Sequence, residues 1–141
     1  MKWLTKYKWY LAGVCLLLGI YLSILPGELF RDPYSTVLED DADELLSASI
    51  AADGQWRFPP GDTVPQKFSE ALISYEDKRF RSHPGVDVLS LGRAIQQNIL
   101  EGRVISGGST ISMQVIRLSR KGKPRTVFQK VVEIILATRL E

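Results

Sequence analysis

The stretch "WYLAGVCLLLGIYLSIL", Trp9 to Leu25, holds no charged residue, and it constrains the chain more than any other feature. As a helix it would be about 25 Å long, near the hydrocarbon thickness of a bilayer, with its backbone groups satisfied internally. Lys2, Lys6 and Lys8 precede it, and acidic residues follow further on. That bias favours a cytoplasmic N-terminus, and Trp3, Tyr7, Trp9, Tyr10 and Tyr21 suit the interfacial zones. A cleaved signal peptide would also begin with positive charge, but "LPGELF" stands where a small-residue cleavage site belongs. The expectation is an uncleaved, single-pass transmembrane signal-anchor over residues 9–25. Residues 1–8 would then be cytoplasmic, and everything after Pro26 would lie outside the cytoplasm.

That placement limits the chemistry. The single cysteine, Cys15, falls inside the apolar run, so the exported part has no thiol for a disulfide or a nucleophile. A formal charge of +2 is too small to argue for nucleic acid, and no such partner is expected. Glu39, Asp40, Asp41, Asp43 and Glu44 form an acid cluster that reads as solvated surface. Residues 26–62, rich in Pro and Gly at both ends, read as a juxtamembrane connector. Asp53-Gly54 inside it is a turn-favouring pair suited to a short hairpin.

From Pro65 the pattern turns helical. "QKFSEALISYEDKRF" sets Phe68, Leu72, Tyr75 and Arg79 near one stripe. "HPG" interrupts it, and Asp87 suits the cap of a second helix with Val88, Leu91, Ala94, Ile95 and Ile99 at three-four spacing, stopped by Gly102. A third helix begins near Ser109 or Thr110. A fourth begins at Pro124 and runs to the last residue, apolar on most of its circumference and therefore buried. It has not clearly ended at Glu141, so residues 63–141 read as the N-terminal part of a mainly α domain.

Several residues carry candidate chemistry. A glutamate near a helix end, as Glu76 is, can serve as a general base when a cleft lies beside it, although Glu-Asp pairs are mostly solvated. His83, the only histidine, stands before Pro84 and Gly85 and reads as a turn-stabilising donor. No second histidine or cysteine completes a soft-metal site, which leaves open a divalent ion held by carboxylates and substrate phosphates. In "GGSTISMQ", Gly107 and Gly108 allow close backbone approach where a helix starts. Amides there suit an anion, with Gln114, Arg117, Arg125 and Lys130 as further donors; an ordinary Ser/Thr cap is the plainer account. Lys130 and Glu133 share a helix face, an arrangement that most often marks an exposed ion pair.

"EDKRFRSHPGVD", "RVISGGSTISMQ" and "KVVEIILATRLE" resemble, in this order, the first three motifs of peptidoglycan glycosyltransferases of the family 51 type. These are the polymerase domains of class A penicillin-binding proteins and of monofunctional transglycosylases. "DGQWRFP", "SHPGVD" and Met113 look most like the 1C subgroup of those penicillin-binding proteins. The resemblance implies a lysozyme-like domain at the outer face of the bacterial cytoplasmic membrane, polymerising lipid II into glycan strands and releasing undecaprenyl diphosphate. It implies Glu76 as general base and Glu133 as the second essential glutamate. Asp77, Gly107, Gly108, Ser109, Thr110, Gln114, Arg117 and Lys130 would bind substrate, with Phe80, His83 and Gly85 as structural motif positions. Mg²⁺ or another divalent cation with the substrate diphosphate, and other cell-wall synthesis proteins as partners, are implied on the same ground; no organic cofactor is. A lysozyme-like lytic enzyme and a non-catalytic membrane-anchored fragment of such an enzyme are the competing readings.

Overall fold

The computed structural model describes residues 2–61 and 63–141, with the side chains of 7–61 and 63–141. The side chains of Lys2, Trp3 and Lys6, and all of Met1 and Asp62, lie outside the described residues. The element order is α1 (Lys2–Ser23), β1 (Thr36–Glu39), β2 (Leu45–Ser49), α2 (Gln66–Glu76), α3 (Val88–Leu100), α4 (Ile111–Ser119) and α5 (Val127–Leu140), with a 3₁₀ turn at Phe80–Ser82. The architecture is mainly helical, in line with the sequence. Two units make it up: Phe30–Ser69, and the chain up to Leu29 together with Glu70–Glu141. The connector expected at 26–62 overlaps the first of these in sequence.

Among the described residues no helix is long and apolar enough to cross a membrane. The signal-anchor expected over residues 9–25 differs from α1 at both ends. The helix stops at Ser23, and its N-terminal part carries Lys6 and Lys8. The charge-free helical segment is therefore about 22 Å long, short of the ~30 Å hydrocarbon layer. Tyr and Gly residues lower its hydropathy further.

In the Phe30–Ser69 unit, β1 and β2 pair antiparallel, with Val37 opposite Ala48 and a bulge between Leu38 and Glu39. The acid cluster forms the hairpin loop. Asp40 Oδ1 accepts from the amides of Ala42 and Glu44 at 2.8 and 2.9 Å, and Asp43 takes φ 60°. Aspartate offers its carboxylate to local amides and tolerates this conformation, so the cluster builds a turn as well as a surface. The hairpin expected at Asp53-Gly54 is displaced: that pair makes a tight turn in which Gly54 N donates to Ala51 O, but the paired strands lie before it. Arg57 closes the loop on Asp53 at 3.0 Å.

In the other unit, caps set the helix starts. Asp87 accepts from Ser90 N to begin α3, Thr110 from Met113 N to begin α4, and Thr126 from Gln129 N to begin α5. Each is an Asp or Thr oxygen reaching the third amide onward. The start of α5 is three residues later than the Pro124 expected, because Thr126 offers a side-chain acceptor and proline offers none. α2 ends at Glu76, four residues before the expected Phe80, and Asp77 begins the turn into the 3₁₀ segment.

The core is small. Val86, Met113, Ile116, Leu136 and Ala137 form it, with Leu25, Leu29, Val132, Ile134 and Leu140 against it. α4 packs on α5, and Ser112 Oγ donates to Glu141 Oε1 at 2.5 Å. The apolar stripes read from α2 and α3 lie mostly open: α2 has no buried residue, and α3 buries only Ala94. On α5 the burial is one-sided, with Leu136 and Ala137 inside and Val127 and Phe128 outside. The end of α1 is tied to α5 by Tyr21 Oη donating to Thr138 Oγ1 at 3.2 Å and Arg139 Nε to Leu22 O at 3.3 Å.

Candidate active site

Two glycines fix how close the motif segments approach. Gly85 has φ 77°, and a Cβ there would stand 2.2 Å from the Ala137 carbonyl oxygen. A Cβ on Gly108 would meet the Leu91 Cα at 2.6 Å. No other residue type fits either place without moving a helix. The first motif's turn therefore sits on α5, and the glycine loop sits on α3. Thr110 adds a second tie, its hydroxyl donating to Gly85 O at 2.6 Å.

Asp77 is the buried centre of this joint. Its carboxylate meets His83 Nε2 at 2.9 and 3.1 Å and accepts from the Ile111 amide at 3.1 Å, in the first turn of α4. His83, read as a turn stabiliser, thus acts through Asp77. Its Nδ1 is buried without a partner. Phe80 packs its ring edge to His83. Because Asp77 holds the start of α4 beside the end of α2, Gln114, one turn in, reaches Glu76: Nε2 donates to Oε2 at 2.8 Å. A neutral amide donor in this place steadies a carboxylate without neutralising it.

Arg79 and Asp87 form a two-pronged ion pair, with Arg79 Nε to Asp87 Oδ2 at 2.8 Å and Nη2 to Oδ1 at 2.5 Å. Burial pushes the Asp87 carboxyl up, but Ser90 and the Arg79 guanidinium outweigh it and hold the group well below the usual carboxylate range. Sequence reading missed this pair. The partners stand eight apart across an irregular turn, a spacing with no periodic signal.

An open cleft of about 520 Å³ is lined by Glu76, Lys78, Arg79, Arg93 and Gly107–Ser109, among others. Lys130 on α5 donates through its ammonium to Oγ of Ser109, one of the lining residues. Burial lowers the Lys130 pKa; Glu133 opposes that, while Arg125 and Arg117 reinforce it. The exposed Lys130–Glu133 pair suggested by spacing does not form. Glu133 is buried, and Lys130 turns to Ser109 instead. Glu133 lines a second cavity of about 420 Å³ with Arg117, Arg120, Lys123 and Arg125. Gln114, expected as a donor to substrate, gives one of its amide hydrogens to Glu76.

Carboxylate, hydroxyl, amide and cation thus meet where three motif segments converge. The transglycosylase family model matches residues 44–141, and the chain belongs to that family. It is 47% identical to penicillin-binding protein 1C of Escherichia coli K12 over 78% of its own length and 14% of that protein's. Penicillin-binding protein 1A of Pseudomonas aeruginosa is 33% identical, over 98% of this chain and 18% of the relative. A biosynthetic peptidoglycan transglycosylase of Burkholderia pseudomallei is 30% identical, over 99% and 56%. The chain thus spans about one seventh of the first of these relatives and just over half of the last.

Proposed function

We propose that this chain carries the glycosyl-transfer chemistry of a peptidoglycan glycosyltransferase, polymerising lipid II into glycan strands. The observation that carries the reading is the convergence on one cleft. Glu76, steadied by Gln114, lines it together with Ser109, and Ser109 accepts from Lys130. In this mechanism Glu76 takes the proton of the acceptor sugar's 4-hydroxyl. The oxygen attacks the anomeric carbon of the lipid-linked donor chain with inversion. The anomeric C–O bond breaks, and its electron pair leaves on the undecaprenyl diphosphate. Lys130, Arg117 and Arg125 meet that developing charge. Glu133 balances the cations from its buried position.

The donor set does not fit a protein-held metal. Among the described residues no three of His, Cys, Asp and Glu gather. Glu133 is a lone carboxylate among cations, so a divalent ion would depend on the substrate's own diphosphate for its ligands. No step is assigned to one.

The membrane reading rests on α1. Leu16, Leu17 and Leu18, three consecutive residues that point in different directions, are all exposed, as are Trp9, Leu11 and Ile20. A helix apolar on every side suits lipid. We place the exposed apolar faces of α1 against the lipid of the cytoplasmic membrane, beside the catalytic residues. This keeps the site at the level of lipid-linked substrates.

Conversion of fluorescent lipid II by the detergent-solubilised chain tests the reading. Glu76→Gln is expected to abolish polymer formation. Polymer from the variant at the unsubstituted rate overturns the assignment, and release of muropeptides from purified sacculi by the unsubstituted chain would favour a lytic enzyme instead.

A further inference from the structure

The glycine loop is returned to α3 by a single side chain. After Gly102 the chain runs as an exposed loop through Val104 and Ile105, and by Gly108 it is buried. Asn98, in the last turn of α3, makes that return. Its Oδ1 accepts from the Ile105 and Ser106 amides at 2.8 and 2.9 Å, and its Nδ2 donates to Ser106 O at 2.9 Å. Both acceptor positions of the amide oxygen are thus spent on the loop backbone, together with one amide hydrogen. Among the described residues no other hydrogen bond joins residues 103–108 to α3. The contact that follows is steric: Gly108 backs onto Leu91, where a Cβ would stand 2.6 Å from the Leu91 Cα. Gly107, between the two, has open space around it, so the seat at Gly108 depends on where Ser106 is held. Ser109 comes next, and its Oγ accepts from the Lys130 ammonium on α5.

We propose that Asn98 is a positioning residue for glycosyl transfer: by strapping the glycine loop to α3 it sets the place of Ser109 Oγ, and through it the place of the Lys130 ammonium. The inference rests on the reading of Lys130 as a cation that meets the leaving group. Asn98 is not among the residues that line the cleft, so it acts through the loop and not on substrate. A cation stabilises developing charge only as well as it is aimed, and a small displacement of its support is felt in the rate. Asparagine suits the place because it presents an acceptor and a donor side by side to one turn of backbone. Aspartate keeps the acceptor for the two amides but sets a carboxylate oxygen against the Ser106 carbonyl. Alanine loses all the bonds.

A double-mutant cycle on lipid II polymerisation by the full chain tests this. Asn98→Ala is expected to lower kcat about tenfold in the parent, and less than about twofold in Lys130→Met, where no ammonium remains to be placed. Asn98→Asp is expected to fall between parent and Asn98→Ala. An equal loss in both backgrounds makes Asn98 a general support of the fold and overturns the proposal, as does an unchanged kcat in the parent background. A second measurement follows the ammonium without turnover: acetylation of Lys130 by acetic anhydride, read by mass spectrometry against the exposed Lys67. Asn98→Ala is expected to raise the Lys130-to-Lys67 ratio about threefold or more, because a released loop uncovers the amine. An unchanged ratio overturns the proposal. A parent chain that makes no polymer sinks the glycosyl-transfer reading, and the acetylation ratio then still decides whether Asn98 places Lys130.

Discussion

Gln114 on α4 donates to Glu76 at the end of α2 across 38 positions of sequence, at 2.8 Å. The contact exists because Asp77, the next residue, anchors the Ile111 amide at 3.1 Å. Gln114 thus steadies the carboxylate proposed as the base, and Asp77 holds the helix that carries Gln114. Gln114→Leu is expected to lower kcat for lipid II polymerisation about tenfold while KM changes little, the mark of a group that orients the base. Steady-state kinetics on the purified chain measures both.

Asp77 carries the larger structural burden. Asp77→Ala strips His83 Nε2 and the Ile111 amide of their acceptor inside a buried joint. A loss of about 3 kcal/mol in unfolding free energy is expected. Asp77→Asn, which keeps one acceptor oxygen, should recover part of it. Urea titration followed by circular dichroism reads the difference.

Gly85 and Gly107 should separate cleanly. Gly85→Ala forces a side chain against the Ala137 carbonyl at a positive φ and should cost roughly 2–4 kcal/mol. Gly107 has open space around it. Gly107→Ala should stay within about 1 kcal/mol of the parent. Thermal unfolding of both variants decides this.

The Arg79–Asp87 pair predicts an acid limb. The folded carboxyl lies below its unfolded value of about 4, so the unfolded chain binds the extra proton as pH falls. The contribution is fully present above about pH 5 and is lost as pH drops through the folded value. Asp87→Asn should therefore be less stable than the parent at pH 7, with the gap narrowing below about pH 4. Unfolding midpoints at a series of pH values measure the gap.

Lys130 runs the other way at high pH. Its folded pKa is depressed, so the unfolded chain holds the proton more tightly, and stability rises as pH climbs through the folded value towards the ordinary lysine value. The cost of the buried ammonium is fully present at neutral pH. Lys130→Met should abolish that alkaline rise and lower polymerisation about 10²–10³-fold. A variant that loses the rise yet keeps its activity would remove Lys130 from the leaving-group site.

Local chemistry was legible where a residue acts on its own neighbours. Asp87 and Thr110 declare themselves as caps because the acceptor and the amide it serves lie three residues apart. The motif segments around Glu76, Gly107 and Lys130 could be located because their residue types are unusual together. Contacts that span the chain left no such trace. Arg79 with Asp87, Asp77 with Ile111, and Lys130 with Ser109 depend on packing that no periodicity encodes. The apolar spacings of α2 and α3 mark one face of each helix, yet Phe68, Tyr75, Val88 and Ile99 stand exposed. A stripe states what a helix is able to bury, and a neighbour must be present to cover it.

The seating of Gly85 on Ala137 has an outcome for how such a chain can vary. The contact is backbone against backbone, so no compensating side-chain swap on α5 can relieve an added methyl at position 85. The turn at Gly85 and the helix α5 are therefore locked together at this one point, whatever side chains surround it.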